Sequence, residues 1–319
     1  MIAEYDSWIG KKEVYADQFT EINSSRLHYS LNLSGRPPSY GEPVFPLALL
    51  MLGEPSAPPD GVGIDGHPTR GGFMPPVPLK RRMFAGGEYD FFQLLRVGDQ
   101  VSVSCIITDI THKNGNSGEL VFVNILREFW VKDTLCATEN RTIVYTDSKP
   151  NSRPQTPPRK IGEWHEEMQT NSLQLFRYSA LTFNGHRVHY DLHYATKVEG
   201  YPGLVVHGPL LAIWLSLFAA KKTGLQLKKF KFSAKRPVFD LHHFTLSGDN
   251  YGTNAAKLSV LDHQLQLYQV EKRLNDQSGS DWCRQKGRLT KEQAEAFIIE
   301  KCAVSSISED TFRISKDNG

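Results

Sequence analysis

The sequence predicts an α+β protein built from two similar units, each an antiparallel sheet wrapped around one central helix. Each half contains one apolar segment of helical character, at residues 44–52 and 209–220, and short strands separated by turn residues follow each segment. A proline-rich stretch separates the two halves. Two such units placed side by side can form one continuous sheet, as in an intramolecular dimer.

The predicted strands are recognised by their alternation of apolar and polar residues. "KKFKFSAKRPVF", for example, alternates Phe230 and Phe232 with Lys229 and Lys231, which is the period of a strand. "HKNGNSG" predicts a hairpin turn, because Asn-Gly accepts positive φ angles. Strands are predicted at residues 81–92, 100–113, 120–131 and 134–146 in the first half, and at 228–239, 242–248, 255–262 and 264–272 in the second.

The stretch "DSKPNSRPQTPPRKIGE", residues 147–163, predicts a linker, because prolines among polar residues favour an extended and solvated chain. It divides the chain into an N-terminal unit at residues 1–146 and a C-terminal unit at 164–275. Residues 276–319 are a polar tail with one predicted helix at 291–300. We expect this tail to stay outside the core.

The composition excludes several classes of function. The 319 residues carry a net charge of +2, which is too balanced for nucleic acid to be the main partner. No apolar run reaches the ~18 residues of a transmembrane helix, and the N-terminus has no signal or transit pattern, so we expect a cytoplasmic protein without a membrane partner. Cys105 and Cys136 are expected to be core thiols. The spacing of the cysteines and the absence of a Gly-rich phosphate loop predict no metal, nicotinamide or flavin.

The segment "FNGHRVHYD", residues 183–191, is a candidate for acid–base chemistry. A neutral imidazole at His189 can take or give a proton near pH 7, whereas the amide of Asn184 can only orient water or a carbonyl group. A turn that carries surface histidines would show the same pattern, so the sequence leaves both interpretations open.

The segment "VHGP", residues 206–209, begins the apolar helix of the second half. Pro209 suits the first turn of a helix, and the N–H of Gly208 lies at the positive end of the helix dipole. That N–H could stabilise a carbonyl oxygen that is gaining negative charge. A helix start with good capping and no further role explains the same residues.

Several segments resemble the double hot-dog hydratases and dehydratases related to MaoC, which include 3-hydroxyacyl-thioester dehydratases and mesaconyl- or itaconyl-CoA hydratases. They are "DGHPTRGGFMPPVPLKRRMFAGGEYDFFQLLRVGD", "GELVFVNILREFWV", "YSALTFNGHRVHYD" and "YPGLVVHGPLLA". The likeness spans residues 5–272. It implies a tandem hot-dog fold with a central helix at 208–221 and one active site in the second half, capped by the first.

The resemblance implies catalytic roles for Asn184, His189 and Gly208. Asn184 stands where ordinary (R)-specific enoyl-CoA hydratases have an aspartate, so His189 would be the sole acid–base group and Asn184 would hold water or the leaving hydroxyl. The N–H of Gly208 would polarise the thioester carbonyl. Substrate contacts are predicted for six further residues: His186, Asp191, His207, Arg70, Arg81 and Arg236.

The arginines admit two interpretations each. Arg70, Arg81 and Arg82 could recognise an acyl carboxylate or a phosphate, or they could form salt bridges at the seam between the halves. The basic strand face that includes Arg236 could meet the phosphates of coenzyme A, or it could be a solvated surface. His67 is expected to be a loop residue with a hydrogen-bonding role.

Hydro-lyase chemistry on an α,β-unsaturated acyl thioester is the leading function hypothesis, with acyl-CoA as the small-molecule partner and no separate cofactor. The alternative is a biosynthetic enzyme of secondary metabolism that uses the same pocket for a carbonyl-activated isomerisation, cyclisation or cycloaddition on a substrate without coenzyme A. A non-catalytic binding module is a third hypothesis. The sequence leaves open whether the chain forms a homodimer.

Overall fold

The structure is a computed structural model of the chain and describes residues 5–115, 118–148, 161–251, 255–261 and 312–315. The first half contains strand β1 (Lys12–Gln18), helix α1 (Glu21–Ser30) and strands β2 (Arg81–Phe91), β3 (Gln100–Gly115), β4 (Gly118–Val131) and β5 (Thr134–Thr146). The second half contains strand β6 (Trp164–Met168), helices α2 (Ser172–Leu181) and α3 (Gly208–Thr223), and strands β7 (Lys229–Ser233), β8 (Phe244–Asn250), β9 (Ala255–Leu261) and β10 (Phe312–Ser315).

The described strands form one antiparallel sheet in the order β1-β3-β4-β5-β2-β7-β10-β9-β8-β6. The two halves join where β2 pairs with β7, from Gly86 opposite Ser233 to Asp90 opposite Lys229. The predicted continuous sheet across two units is therefore confirmed. β3 and β4 also pair as the predicted hairpin, with Gly115 opposite Gly118.

The strand predicted at residues 228–239 is shorter in the structure, because β7 ends at Ser233. Pro237, which has no N–H to donate to a sheet, lies in the segment that follows the end of β7. The strand predicted at 264–272, the linker residues 149–160 and the tail helix at 291–300 lie outside the described residues. Strand β10 takes the sheet position between β7 and β9.

Helix α3 is the core of the second half. Pro209 lies in its first turn, and the helix ends at Gly224, which has a left-handed φ of 66° and donates its N–H to the Ala220 carbonyl. Residues from Leu210 to Leu215 are all buried, because the sheet wraps around the helix and covers most of its faces. Each large apolar side chain buried in this way contributes about 1.5–3 kcal/mol.

The prediction of a helix at residues 44–52 of the first half is wrong. The structure has only a 3-10 helix, Pro46–Met51, in that place. The backbone is extended at Leu52 and left-handed at Gly53 (φ 66°), so the helix ends after six residues. The carbonyls of Leu52 and Gly53 instead accept hydrogen bonds from Arg127 on β4, at 2.6 and 3.0 Å.

Two helices were not predicted from the sequence. Thr20 caps α1 by accepting from the Asn23 N–H at 3.1 Å, and Asn171 caps α2 by accepting from the Gln174 N–H at 2.9 Å. The side chain of Gln174 also donates to a carbonyl at the end of α1 at 2.8 Å, which ties the two helices together. The core thiols Cys105 and Cys136 are both free and buried, as predicted.

Candidate active site

A cavity of about 760 Å³ receives side chains from both halves of the protein. Five of the predicted site residues line it: Asn184, His186, His189, Gly208 and Arg236. Four others do not: His207, Asp191, Arg70 and Arg81. Segments more than a hundred residues apart in the sequence therefore meet around one space, and the predicted residues divide into those that reach it and those that support it.

The loop that carries Asn184 begins where α2 ends. Phe183 adopts a left-handed φ of 51°, which is uncommon for a residue with a side chain, and the Asn184 N–H donates to the Ser179 carbonyl at 2.9 Å. The side-chain Oδ1 of Asn184 accepts from the His186 N–H at 3.0 Å. No described residue accepts from the side-chain NH₂ of Asn184, so that group is available to a ligand.

His189 lies in a 3-10 turn, Arg187–His189, and its side chain is buried. Its Nδ1 lies 2.7 Å from the Val205 carbonyl oxygen. Because a carbonyl oxygen can only accept, Nδ1 carries the proton and Nε2 keeps the lone pair. Burial lowers the pKa of His189 to about 4, and the bond to Val205 offsets only part of this effect. His189 is therefore a neutral base at pH 7.

Four histidine rings form a column, which we call the histidine column: His67, His186, His189 and His207. The ring centroids are 4.4 Å apart for the first pair, 5.3 Å for the second and 3.7 Å for the third. Desolvation lowers the pKa of every ring, and the charges of neighbouring histidines lower three of them further. The column is consequently neutral at pH 7.

His207 packs against the ring of His189. It is fully buried, stacks on His189 with an angle of 18° between the rings, and places Nε2 2.8 Å from the Ser179 hydroxyl. Since it does not line the cavity, the substrate contact predicted for His207 is replaced by a packing role. The arrangement restricts the rotation of the His189 ring.

Gly208 is the first residue of α3, and none of the described residues accepts a hydrogen bond from its N–H. A Cβ atom added at this position would lie 3.0 Å from the ring of Phe84, so glycine leaves the space above the helix start open. The partial positive charge of a helix N-terminus favours an oxygen that gains negative charge.

The first half reaches the site through the loop of residues 61–72. Gly66 has a left-handed φ of 86°, and a Cβ there would lie 1.9 Å from the Gly185 carbonyl oxygen. The Arg187 N–H also donates to the loop backbone at 2.9 Å. These contacts place the loop directly on the Asn184 segment and bring His67 into the histidine column.

Arg70 and Arg81 have structural partners in place of the predicted substrate contacts. The Arg70 guanidinium donates to three carbonyls of the adjoining segment, those of Val77, Leu79 and Lys80. Arg81 forms a salt bridge with Glu199 at 2.7 Å, which joins the first half to the second. The interpretation as seam salt bridges therefore describes Arg81, and Arg70 holds its own loop in shape.

Asp191 is a further correction. Its carboxylate pairs with Arg187 at 2.6 Å and accepts from the Tyr194 N–H at 2.9 Å, which holds the pKa of the carboxyl below its usual value. Lys229 and Lys231 of β7 likewise pair with acids of β2 across the seam between the halves. These side chains therefore have ion-pair partners within the protein.

Sequence reasoning missed an ion-pair cluster on the cavity wall. Arg127 pairs with Glu139 at 2.7 Å, and Arg141 pairs with Glu54 at 2.8 Å and with Glu139 at 3.0 Å. The pairing keeps the pKa of the buried Glu139 carboxyl below its ordinary value although burial opposes it. The alternation of charged residues within β4 and β5 could have indicated this cluster. The same pattern is equally typical of a strand with a solvated face.

In the described part of the chain no group of three or more His, Cys, Asp or Glu side chains is placed to hold a metal ion. None of the described helices is both long enough and apolar enough to cross a membrane.

A family model for hydroxyacyl-thioester dehydratase type 2 matches residues 50–240, a range that includes the first-half loop, the Asn184 segment and Gly208. The chain belongs to the hydroxyacyl-thioester dehydratase type 2 family. This member is accordingly an enzyme of the hydratase and dehydratase class, as its sequence predicted.

Two curated relatives of this hydroxyacyl-thioester dehydratase type 2 member come from a bacterium and a fungus. Mesaconyl-C(4)-CoA hydratase of Chloroflexus aurantiacus is 38% identical over 249 residues, which is 76% of this chain and 88% of the relative. The mitochondrial hydroxyacyl-thioester dehydratase type 2 of Schizosaccharomyces pombe is 38% identical over 109 residues, which is 33% of this chain and 36% of the relative.

Solved structures confirm the tandem hot-dog fold of this family member. A MaoC-like dehydratase from Phytophthora capsici has a TM-score of 0.61 at 12% identity and covers 97% of both chains. HtdX of Mycobacterium tuberculosis has a TM-score of 0.56 at 15% identity, over 78% of this chain and 93% of its own. Another Mycobacterium tuberculosis protein, described as a double hotdog, has a TM-score of 0.51 at 11% identity and covers 96% of both chains.

Proposed function

We propose that the enzyme adds or removes water across the Cα–Cβ bond of an acyl thioester, with His189 as the acid–base group and the Gly208 N–H as the oxyanion donor. One observation carries the proposal: a neutral imidazole with its lone pair on Nε2 and an unpaired helix N-terminal N–H line the same cavity. The first supplies a base, and the second supplies a site for the enolate oxygen.

In the dehydration direction, His189 Nε2 removes the Cα proton of a 3-hydroxyacyl thioester. The electron pair of the broken C–H bond moves into the thioester as an enolate, whose oxygen accepts from the Gly208 N–H. The enolate then forms the Cα=Cβ bond and the Cβ–O bond breaks. His189 returns its proton to the departing hydroxide, so water leaves and the imidazole is neutral again. Hydration is the reverse sequence.

Asn184 fits the role of a positioning group for water or the leaving hydroxyl. Its Oδ1 is occupied by the His186 N–H at 3.0 Å, which leaves the NH₂ group to donate to that oxygen. Because an amide does not titrate, His189 must both take and give the proton, as the resemblance implied.

The thioester carrier is inferred from the relatives. The Chloroflexus relative is named for hydration of a coenzyme A thioester, and the yeast relative for dehydration of a hydroxyacyl thioester. The two names describe one reaction type in opposite directions. We infer that coenzyme A enters as part of the substrate, and Arg236 on the cavity wall remains the predicted contact for its phosphates.

The test is His189→Gln, with His165→Gln as the matched control on the exposed side of β6. Hydration of crotonyl-CoA is followed through the absorbance of the conjugated thioester. We expect the first variant to lose about 100- to 10,000-fold in kcat. The control should keep the activity of the parent protein, and circular dichroism should show both variants folded.

Full activity in a folded His189→Gln variant would eliminate the proposed mechanism. Turnover of an unsaturated carbonyl compound that lacks a thioester, with none of crotonyl-CoA, would favour the biosynthetic alternative.

A further inference from the structure

The histidine column contains two rings that the proposed reaction does not use, His67 of the first half and His186 of the second. Both residues line the cavity, and their ring centroids are 4.4 Å apart. No described residue hydrogen-bonds to a ring nitrogen of either one. Within the column, all of which the structure describes, Nδ1 of His207 is the one ring nitrogen that is both buried and without a partner. The ring nitrogens of His67 and His186 are therefore accessible.

Both of these rings offer a hydrogen-bond acceptor at pH 7. Desolvation lowers the pKa of each ring, and the charges of neighbouring histidines and of Arg82, which also lines the cavity, lower it further. A neutral imidazole has one N–H donor and one nitrogen with a free lone pair. A cavity wall with such groups suits a neutral polar partner, which is a hydroxyl group or a water molecule.

The oxygen atom that joins or leaves Cβ lacks one partner in the proposed reaction. In hydration, the attacking water gives one hydrogen to His189, accepts from the Asn184 NH₂ group and directs a lone pair at Cβ. Its second hydrogen has no acceptor among these groups. Because attack requires a fixed orientation of the water, a group that accepts this second hydrogen would accelerate the reaction.

His67 lies beside the segment that is expected to hold this water. His186, on which its ring packs, donates its backbone N–H to the Asn184 side chain at 3.0 Å. Gly66, the residue before His67, docks its loop on the same segment. The ring of His186 has histidine neighbours on two sides, His67 and His189, whereas His67 ends the column and has one. His67 is therefore the less enclosed acceptor of the two.

We propose that His67 binds the oxygen that is added to or removed from Cβ, by accepting a hydrogen bond from the O–H that takes no part in proton transfer. This inference rests on the proposed function and adds a residue of the first half to the groups that touch the substrate. His189 still moves the proton, and the bond between the oxygen and its second hydrogen stays intact throughout. The first half thereby contributes to catalysis directly.

The kinetic test is His67→Phe, which keeps an aromatic ring against His186 and removes both nitrogens. Crotonyl-CoA has no oxygen on Cβ, so its binding does not use His67. We expect kcat for its hydration to fall about 10-fold or more, with KM changed by less than about twofold. His67→Gln, whose amide oxygen can also accept, should retain more of the rate, and His165→Phe on the exposed side of β6 all of it. A rise in KM at unchanged kcat would contradict the proposal.

Binding separates the contact with the hydroxyl group from turnover. The 3-hydroxybutyl and butyl thioethers of coenzyme A lack the carbonyl group, so neither can react. Calorimetry should show that His67→Phe lowers the affinity for the hydroxybutyl compound, relative to the butyl compound, by about 3- to 10-fold. His67→Leu provides the same comparison in a second variant that cannot hydrogen-bond. His165→Phe should keep the ratio of the parent protein, and circular dichroism should show each variant folded.

The ratio of the two affinities decides the assignment. A ratio that His67→Phe and His67→Leu leave unchanged would overturn it, and lower affinity for both thioethers would then indicate a contact with the carrier or a structural role. A lower ratio in His186→Phe, but not in the His67 variants, would move the contact to the second half and likewise overturn the proposal. Because the thioethers do not react, these outcomes are independent of His189→Gln, so failure of the proposed reaction is distinguishable from failure of the His67 contact.

Discussion

At the residue scale, the position of one proton decides what His189 can do. The Val205 carbonyl is 2.7 Å from Nδ1 and holds the proton there, which leaves Nε2 as the basic nitrogen of a residue that lines the cavity. Desolvation then keeps the ring neutral over a wide pH range. A surface histidine in the same sequence motif would lack both properties.

The activity should therefore persist well below the usual pKa of histidine. We expect the acid limb of kcat/KM to be half-complete near pH 4, because His189 in the free enzyme is protonated only at about that pH. Initial rates after brief exposure to each pH measure the limb. Samples returned to pH 7.5 serve as the control for unfolding. A reversible limb near pH 6.5 would mean that His189 titrates as an exposed ring.

At the element scale, the loop of residues 61–72 completes a site that the second half alone does not contain. The loop meets the Asn184 segment backbone to backbone at Gly66 and Gly185, and no side chain fits between them. The catalytic turn is thus positioned from one side by α2 and α3 and from the other side by the first half.

Gly66→Ala tests this contact. The new Cβ would overlap the Gly185 carbonyl, so the loop must move and the Asn184 segment shifts; we expect about 100-fold lower kcat/KM. Gly35→Ala is the matched control, because Gly35 has a similar φ of 79° with nothing within 4 Å of an added Cβ. It should cost about 1 kcal/mol of stability and leave the rate unchanged. Equal kinetics in both variants would exclude a role for the docked loop.

At the scale of the whole molecule, the neutral histidine column links folding to pH. The unfolded chain takes up protons at these rings near pH 6.5, whereas folded His189 does so only near pH 4 and the other three are also shifted down. Between the two pKa values the unfolded state therefore binds more protons than the folded state. The contribution of the histidine column to the free energy of unfolding is fully present above pH 6.5 and is lost as the pH falls.

Urea unfolding at pH 7.5, 6.0 and 5.0 should show this loss as a falling free energy of unfolding, by several kcal/mol over the range. His207→Phe keeps an aromatic ring in the stack but removes one titrating group, so its stability should depend less steeply on pH. Identical slopes for the parent protein and the variant would show that the column does not control acid sensitivity.

Sequence patterns were sufficient for the fold class because the strands of the first half alternate clearly and the apolar run of α3 is uninterrupted. They were insufficient for α1, because its apolar residues show little periodicity. They were also insufficient for the first-half central segment, because Arg127 donates to carbonyls that a longer helix would use for its own hydrogen bonds. The motif residues Asn184, His189 and Gly208 were identified because they lie in two short segments with a specific order.

The amino-acid sequence by itself determined the tandem architecture, the central helix and the residue types that could perform acid–base and oxyanion chemistry, because these follow from local periodicity and short motifs. Only the tertiary structure decided which charges are already paired. Arg81 is neutralised by Glu199, 118 residues away, whereas its neighbour Arg82 faces the cavity without an acid. Such partners are set by chain packing over long sequence distances, and local pattern carries no information about them.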